Sequence, residues 1–308
     1  MAEASIPVDL LNPGQVFACL GFLEAVDKLL GDAEGGFDWS NETRVRFTLR
    51  ADSRDNPFGE VLRWLASAEI MECVPPGHVD PTPVGERSAT DEDDSTAASA
   101  GPLELETYPS RVDEAMARPL RLHCPGGVGV ELGHWADGSG RSRFKLYSGN
   151  RSACGIATAM LRGIADLWAA EPVELAARPF EVLMPLGGSF NFDARSAWTA
   201  MDTGFSIDRQ KKKGNIIGVE ASPVVQLLAA WGLEHARPTE LRSRRGDEVA
   251  DGGRWVRYGA WSTRVLPMLA RPALAGLSVG VPIRSFLFRP RLSGKNKIVT
   301  FAQEEVRA

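Results

Sequence analysis

The stretch Leu186–Pro238, LGGSFNFDARSAWTAMDTGFSIDRQKKKGNIIGVEASPVVQLLAAWGLEHARP, divides into three parts with different physical jobs. Gly187-Gly188-Ser189 is a turn that delivers a short aromatic/polar alternation, Phe190-Asn191-Phe192-Asp193. Residues 208–215 (DRQKKKGN) form a cationic loop with no apolar residue to anchor them in a core. Ser222-Pro223 then opens a helix that is apolar through Trp231, with Ser222 at the N-cap, Pro223 at the first helical position and Gly232 as the stop signal. A positive loop directly before a buried helix holds lysines out toward a polyanion while fixing their base. A short lysine run standing alone reads more simply as a solvated loop, so the remainder of the chain has to decide.

With 308 residues, 44% of them hydrophobic, the chain has enough apolar material for one large domain or two ordinary ones. It has no apolar run of about 18 residues, and hence no expected transmembrane helix. The N-terminal MAEASIPVDLL lacks a basic stretch and a small-residue cleavage site, so a signal peptide is not expected. Cys19, Cys73, Cys124 and Cys154 lie far apart without a CxxC pair and read as reduced core thiols of a cytoplasmic protein.

The net charge of −5 conceals an asymmetry. Residues 1–140 carry 10 Lys/Arg and 25 Asp/Glu, a balance of −15, while residues 141–308 carry 25 and 15, a balance of +10. Such a split points to a polyanion partner for the basic half, or to attraction between the halves within one fold.

Along the chain, Asn12-Pro13-Gly14-Gln15 opens the first helix, with Gln15 placed for a capping box. Its run VFACLGFL is apolar nearly all round, which marks a buried helix, and Gly21 inside it permits close approach of another backbone. Thr43–Arg50 alternates as a half-buried strand, Val45, Phe47 and Leu49 inward and Arg44, Arg46 and Arg50 outward. Asn56-Pro57 starts the next helix. Between Pro75 and Pro102 the periodicity collapses into prolines, the acidic cluster DEDD at 91–94 and a Ser/Thr/Ala/Gly tail, the composition of a disordered insertion.

Strands are expected at Leu120–Cys124, Val128–Trp135 and Arg141–Tyr147, the last two joined by a turn at 137–140. Gly149-Asn150-Arg151-Ser152 then leads into a helix from about Ala153 to Ala170 capped by Ser152, a place where a phosphate would fit. Arg242, Arg244 and Arg245 form a second basic cluster. Arg254–Trp261 reads as a strand with Trp255, Arg257 and Trp261 on one side. A C-terminal hairpin turns at Ser293–Asn296 and carries Arg284, Arg289, Arg291, Lys295 and Lys297. The fold class expected is α+β, with antiparallel hairpins mixed with buried helices and no doubly wound parallel sheet. Residues 1–74 and 103–308 are expected to share one core interrupted by the insertion at 75–102.

Motifs for chemistry are scarce. His78, His123, His134 and His235 form no HExxH, HxH or HxxxH, and GxxxxGK[ST], GxGxxG, GxSxG and HD are all absent, so neither a metal site nor a cofactor is expected. His134 near Lys145 and Tyr147, with His123 as a second candidate, leaves open a metal-independent ribonuclease, although a strand histidine is more often structural. What remains is basic and aromatic residues on hairpins and loops, which bind phosphates and stack on bases.

Three blocks, NPGQVFACLGFLEAVDKLLG at 12–31, FNFDARSAWTAMDTGFSID at 190–208 and SPVVQLLAAWGLEHARP at 222–238, resemble the compact large subunit of the type I-U CRISPR Cascade effector. The resemblance extends from about residue 7 to 302, with 75–102 as its variable part. It implies a non-catalytic role: reading a short motif that flanks the target, holding the displaced or target strand at one end of the guide-RNA complex, and presenting the assembly to a separate helicase–nuclease. Its implied partners are the backbone and fused repeat-processing subunits, the guide RNA and double-stranded target DNA, with no membrane. Base pairing with the guide then carries most of the sequence specificity. On charge and loop position, Arg209, Lys211, Lys212, Lys213 and Asn215 are the candidates for duplex entry and motif reading. Arg242, Arg244, Arg245, Arg289, Arg291, Lys295 and Lys297, with Arg143, Lys145, Asn150 and Arg151, are the candidates for backbone contact. The alternatives are the ribonuclease and a protein-only scaffold whose basic half docks on acidic neighbours.

Overall fold

A computed structural model describes residues 1–79, 102–111, 113–138, 144–148, 151–186, 188–195, 219–241, 255–293 and 296–305. The architecture is an α+β mix of antiparallel sheets and buried helices. Helix α1 (Pro13–Leu30) packs along α5 (Pro223–His235) at its centre. In α1 every residue from Pro13 to Val26 is buried, and in α5 every residue from Pro223 to Leu233, so neither helix has a solvent face over most of its length. Asn12 and Ser222 cap them as the sequence predicts: Asn12 Oδ1 accepts from Gly14 N and Ser222 Oγ from Val225 N.

Two details of these helices differ from expectation. Gln15 does not close a capping box; its Oε1 accepts from Asp9 N at 2.8 Å, which fixes the loop before the helix instead. Gly232 does not end α5, which continues to His235. A Cβ on Gly232 would lie 2.2 Å from the Phe17 carbonyl oxygen, and one on Gly21 would lie 1.9 Å from that of Leu228. Both glycines therefore serve the close approach of two backbones, as predicted for Gly21 alone.

Strand β1 (Ala2–Pro7) precedes α1, and β2 (Glu34–Asp38) and β3 (Arg46–Ala51) follow it. They form an antiparallel sheet in the order β1-β3-β2, with Ile6 opposite Phe47 and Phe37 opposite Phe47 on the other side. Helix α2 (Pro57–Ala66), capped by Asn56, comes next. Strands β4 (Glu69–Val74), β5 (Leu103–Glu104), β6 (Leu120–His123) and β7 (Gly129–Leu132) form a second sheet in the order β5-β4-β6-β7. Of the pairings among the described residues, only β4 with β5 is parallel, and it joins the two ends of the chain segment that contains 80–101. The insertion expected at 75–102 thus lies mainly outside the described residues. Within its margin, His78 Nδ1 sits 3.0 Å from Asp113 Oδ2 and its Nε2 lies 3.2 Å from the Arg118 guanidinium.

The strand expected through Trp135 stops at Leu132; His134–Ala136 is a 3-10 turn that carries His134 and Trp135 into the core. The strand expected over Arg141–Tyr147 is not formed at 144–148, where Phe144 has φ +46° and Phe144, Leu146 and Tyr147 are all buried; its residues 141–143 lie outside the described residues.

Helices α3 (Ala153–Ala170), capped by Ser152, and α4 (Pro172–Ala177) pack against α2. Strands β8 (Met184–Leu186) and β9 (Val219–Ala221) pair antiparallel just before α5. The remaining strands are β10 (Thr239–Glu240), β11 (Val256–Trp261), β12 (Ile283–Phe288), β13 (Arg291–Ser293), β14 (Asn296–Ile298) and β15 (Gln303–Glu304), with α6 (Pro267–Leu274) between β11 and β12. β10-β11-β12-β15 is an antiparallel sheet, and β13 and β14 are a hairpin with Leu292 opposite Lys297. Among the described residues the element order βαββα occurs twice, as β1-α1-β2-β3-α2 and as β9-α5-β10-β11-α6, and each time the two strands after the first helix pair antiparallel. No sequence repeat announces this. One continuous apolar core, from Ile6 to Ala302, includes Phe17, whose ring meets those of Phe144, Tyr258 and Phe288.

Candidate nucleic-acid interface

The cationic loop carrying Arg209, Lys211, Lys212, Lys213 and Asn215 lies outside the described residues, but both of its roots are placed. On the entering side, the Asp193 carboxylate is fully buried. It accepts from Asn12 Nδ2 at 2.9 Å, from Arg195 N at 3.1 Å, and from Arg195 Nε and Nη2 at 2.9 and 2.6 Å. On the leaving side, Ser222 N donates to Asp193 Oδ2 at 3.4 Å, and β9 is clamped by β8. Phe190 and Phe192 are buried, and Phe192 N donates to Gln226 Oε1. The aromatic/polar alternation is thus a buried anchor. A carboxylate near the N-termini of α1 and α5 also meets the positive ends of two helix dipoles.

A second group forms at the C-terminus. Arg289 and Arg291 line an open cleft of 510 Å³ with Trp255, Thr300, Phe301 and Gln303. Among the described residues no Asp or Glu lines it. Phe288 at its back is buried in the core, whereas Trp255 is 38% exposed and Phe301 49%. Arg291 and Lys297 are exposed, and neither has a carboxylate oxygen within 4.0 Å among the described residues. The cleft walls are tied down: Leu241 N donates to Trp255 O, Thr300 Oγ1 to Arg289 O, and Ala302 N to Leu11 O. Sequence reasoning alone does not bring Trp255 and Phe301 to this site. Their signal is exposure beside arginines from a distant strand, which only the tertiary fold creates.

The other candidates divide. Lys145 is partly neutralised: its Nζ lies 3.9 Å from Glu114 and 5.1 Å from the Tyr147 ring centre. Arg151 is half-buried at the start of α3, and its side chain passes Gly188. Arg143, Asn150, Arg242, Arg244, Arg245 and Lys295 lie outside the described residues. Arg284 belongs to the protein rather than to a ligand. Its guanidinium grips Glu304 with two hydrogen bonds of 2.7 and 2.5 Å, and that pairing raises the arginine pKa and lowers that of Glu304.

Part of the charge split is spent inside the fold. Arg237 meets Asp137 at 2.8 Å, Arg271 meets Glu24 at 2.7 Å twice, and Arg264 meets Glu3; each pair joins the basic half to the acidic one.

His134 is 1% exposed, and burial, with the Arg237 charge second, pushes its pKa down to about 3. Its ring meets Trp135 and Phe192. A histidine so enclosed has no path to an RNA backbone, which removes the geometry required of a general base. His123 lies at the end of β6, half-buried. Among the described residues no cluster of three or more His, Cys, Asp or Glu is placed to hold a metal ion. All four cysteines are free; Cys19 and Cys73 are buried, but Cys124 and Cys154 are only partly so, a departure from four core thiols. No helix among the described residues is long and apolar enough to cross a membrane.

Compared with known proteins, the chain matches no family model, no curated protein and no solved structure.

Proposed function

We propose that this chain is a non-catalytic nucleic-acid-binding subunit of a CRISPR RNA-guided surveillance complex, contributing to flanking-motif recognition and to target DNA and R-loop binding in antiviral defence. The observation that carries the reading is the C-terminal cleft, whose described lining brings Arg289 and Arg291 together with exposed Trp255 and Phe301. Guanidinium groups attract phosphate, and exposed aromatic rings can receive bases. The cationic stretch at 208–215, outside the described residues, supplies a second positive element by its sequence, with Asn215 and the lysines as the motif-reading candidates. Leu266, Met268, Leu269 and Leu277 on α6 and its flanks are exposed and suit contact with neighbouring subunits. The cytoplasm is the compartment this role requires.

The test is co-purification. A tagged chain is expressed with the backbone and fused repeat-processing subunits and a guide transcript, and duplex binding by the assembly is measured with and without it. Entry into the complex, with loss of duplex binding on its omission, supports the reading. Equal assembly and binding without it overturns the reading.

A further inference from the structure

We infer that the outer edge of β12 is a docking site for an extended acidic segment of a partner protein, one with two adjacent glutamates, and that residues 303–305 of this chain occupy it in the partner's absence. The inference is independent of the nucleic-acid reading above. β12 pairs over its whole length with β11, whereas β15 brings only Gln303 and Glu304 to its other side, opposite Leu287 and Phe286. One more backbone bond follows, from Glu305 N to Ser285 O at 2.8 Å. Successive residues of a strand point to opposite faces of the sheet. Glu304 therefore shares a face with Phe286, and there Arg284 Nε and Nη2 donate to its two oxygens at 2.7 and 2.5 Å. Glu305 lies on the other face, where Arg257 Nη2 donates to its Oε1 at 2.5 Å. Two arginines from neighbouring strands thus grip two consecutive glutamates from the two sides of the sheet.

Charge and backbone pairing hold this segment more than apolar burial does. Gln303 and Glu304 are exposed, Phe301 is half exposed, and Ala302 is the buried apolar residue. Both ion pairs are partly open to water, so salt screens them. The Arg257–Glu305 pair is also incomplete, since Arg257 Nε and Glu305 Oε2 are buried without a hydrogen-bond partner. That is a cost of the closed state which another carboxylate, seated differently, would remove. The receiving side is built without the segment. Arg284 is held by the rings of Trp39 and Phe286, at 5.7 and 5.8 Å from their centres. Glu42 also acts on its charge, after Glu304. The Arg257 stem runs along Gly276, where a Cβ would lie 3.3 Å from its Cδ. A strand added to such an edge gains affinity from its backbone and specificity from alternate side chains. Adjacent glutamates meet both arginines, whereas glutamates separated by one residue fall on one face and meet one.

The experiment uses the full chain and a labelled peptide with the sequence of residues 300–308, TFAQEEVRA, as the probe for the partner segment. Fluorescence anisotropy compares the parent with Glu304→Gln plus Glu305→Gln, which keeps the shape of the resident segment and removes its two charges. The variant should bind the peptide about tenfold or more tightly than the parent, the scale of one charged hydrogen bond. Peptides whose two glutamates are replaced by glutamine, or separated by one residue, should bind the variant about tenfold or more weakly than TFAQEEVRA. Adding Arg257→Ala and Arg284→Ala to the variant should abolish binding. Hydrogen exchange of the unaltered chain gives a reading that needs no variant. Between about 0.1 and 1 M salt, exchange at Gln303 and Glu305 should rise about tenfold while the amides that join β11 to β12 stay protected. Equal binding by parent and variant, equal binding of the three peptides, or exchange at 303–305 that ignores salt overturns the inference. So does a concentration-dependent dimer of the parent that the glutamine variant abolishes, since the occupant is then a second copy of this chain.

Discussion

Asn12 Nδ2 donates to Asp193 Oδ1 at 2.9 Å across 181 positions of sequence, and both side chains are fully buried. The same Asn12 caps α1 through its oxygen, which also accepts from Ala194 N at 3.2 Å, while Asp193 receives the backbone N–H of Ser222 at the start of α5. One amide and one carboxylate therefore join the start of α1, the central block and the start of α5. Asp193→Ala should destabilise the fold by about 3 kcal/mol, the low end for breaking a buried charged pair, because Arg195 is partly exposed and can reach water. The shift of the denaturation midpoint in urea measures this. A change under about 1 kcal/mol would mean that the network is replaceable by water.

The two glycines at the helix crossing give a sharper test. A methyl group at either position meets a backbone oxygen nearer than any Cβ contact allows, so α1 and α5 would have to move apart. Gly21→Ala and Gly232→Ala should each cost about 1–3 kcal/mol or more by overpacking, despite alanine's better helix propensity. Combined, they should cost less than the sum, since the first separation already makes room for the second. Thermal unfolding of the singles and the double decides this, and strict additivity would contradict a shared crossing.

Local chemistry in the sequence located the helices, because a cap acts within three residues. Asn12, Asn56, Ser152 and Ser222 all cap where expected. The same local rule failed at Gly232, where a packing requirement set 211 positions away by Gly21 outweighed the stop signal. It failed again at 144–148, whose alternation suited a strand but whose backbone hydrogen bonds run elsewhere: Lys297 N donates to Leu146 O and Ser148 N to Asn296 Oδ1. The cleft was only half legible. Arg289 and Arg291 were visible as charges on a hairpin, whereas Trp255 and Phe301 join them only through the pairing of β11 with β12 and the return of the chain past Thr300. Which cations were already spoken for, such as Arg284 by Glu304, is likewise a matter of register and not of composition.

Acidification should weaken the fold below about pH 6.5. The His134 pKa is pushed down to about 3 in the folded state by burial, while the unfolded chain binds that proton near 6.5. Between those values the unfolded state holds more protons, so stability is present above pH 6.5 and is lost as pH falls, by about 1.4 kcal/mol per pH unit for one full proton. His235 acts in the same direction: burial lowers its pKa, with Arg271 and Lys28 assisting and Glu24 opposing. Glu234, beside His134, is raised by burial against the N–H groups of Gly133 and His134. It therefore favours the fold at low pH, and that contribution fades as pH rises through the carboxylate range. The clean window is pH 7.5 to 5.5. There the urea midpoint should fall with pH, and His134→Phe should flatten the dependence. A flat profile for the parent would mean that His134 is hydrated and protonates in place.

The cationic loop is tested by its salt dependence. Arg209, Lys211, Lys212 and Lys213 carry four positive charges with no acid between Arg209 and Gly214, and the chain on either side is fixed by Asp193, Ser222 and the pairing of β8 with β9. Each lysine that meets a duplex phosphate releases counterions on binding. Replacing Lys211, Lys212 and Lys213 together with alanine should therefore weaken duplex binding and flatten the plot of log affinity against log salt by about 0.9 for each phosphate left without its lysine. Thermal stability should change little, since the loop offers no apolar side chain to the core. The pairing of outcomes is what discriminates. A flattened slope with unchanged stability assigns the lysines to the ligand, whereas equal slopes for parent and variant would remove them from the interface and leave the C-terminal cleft to carry it.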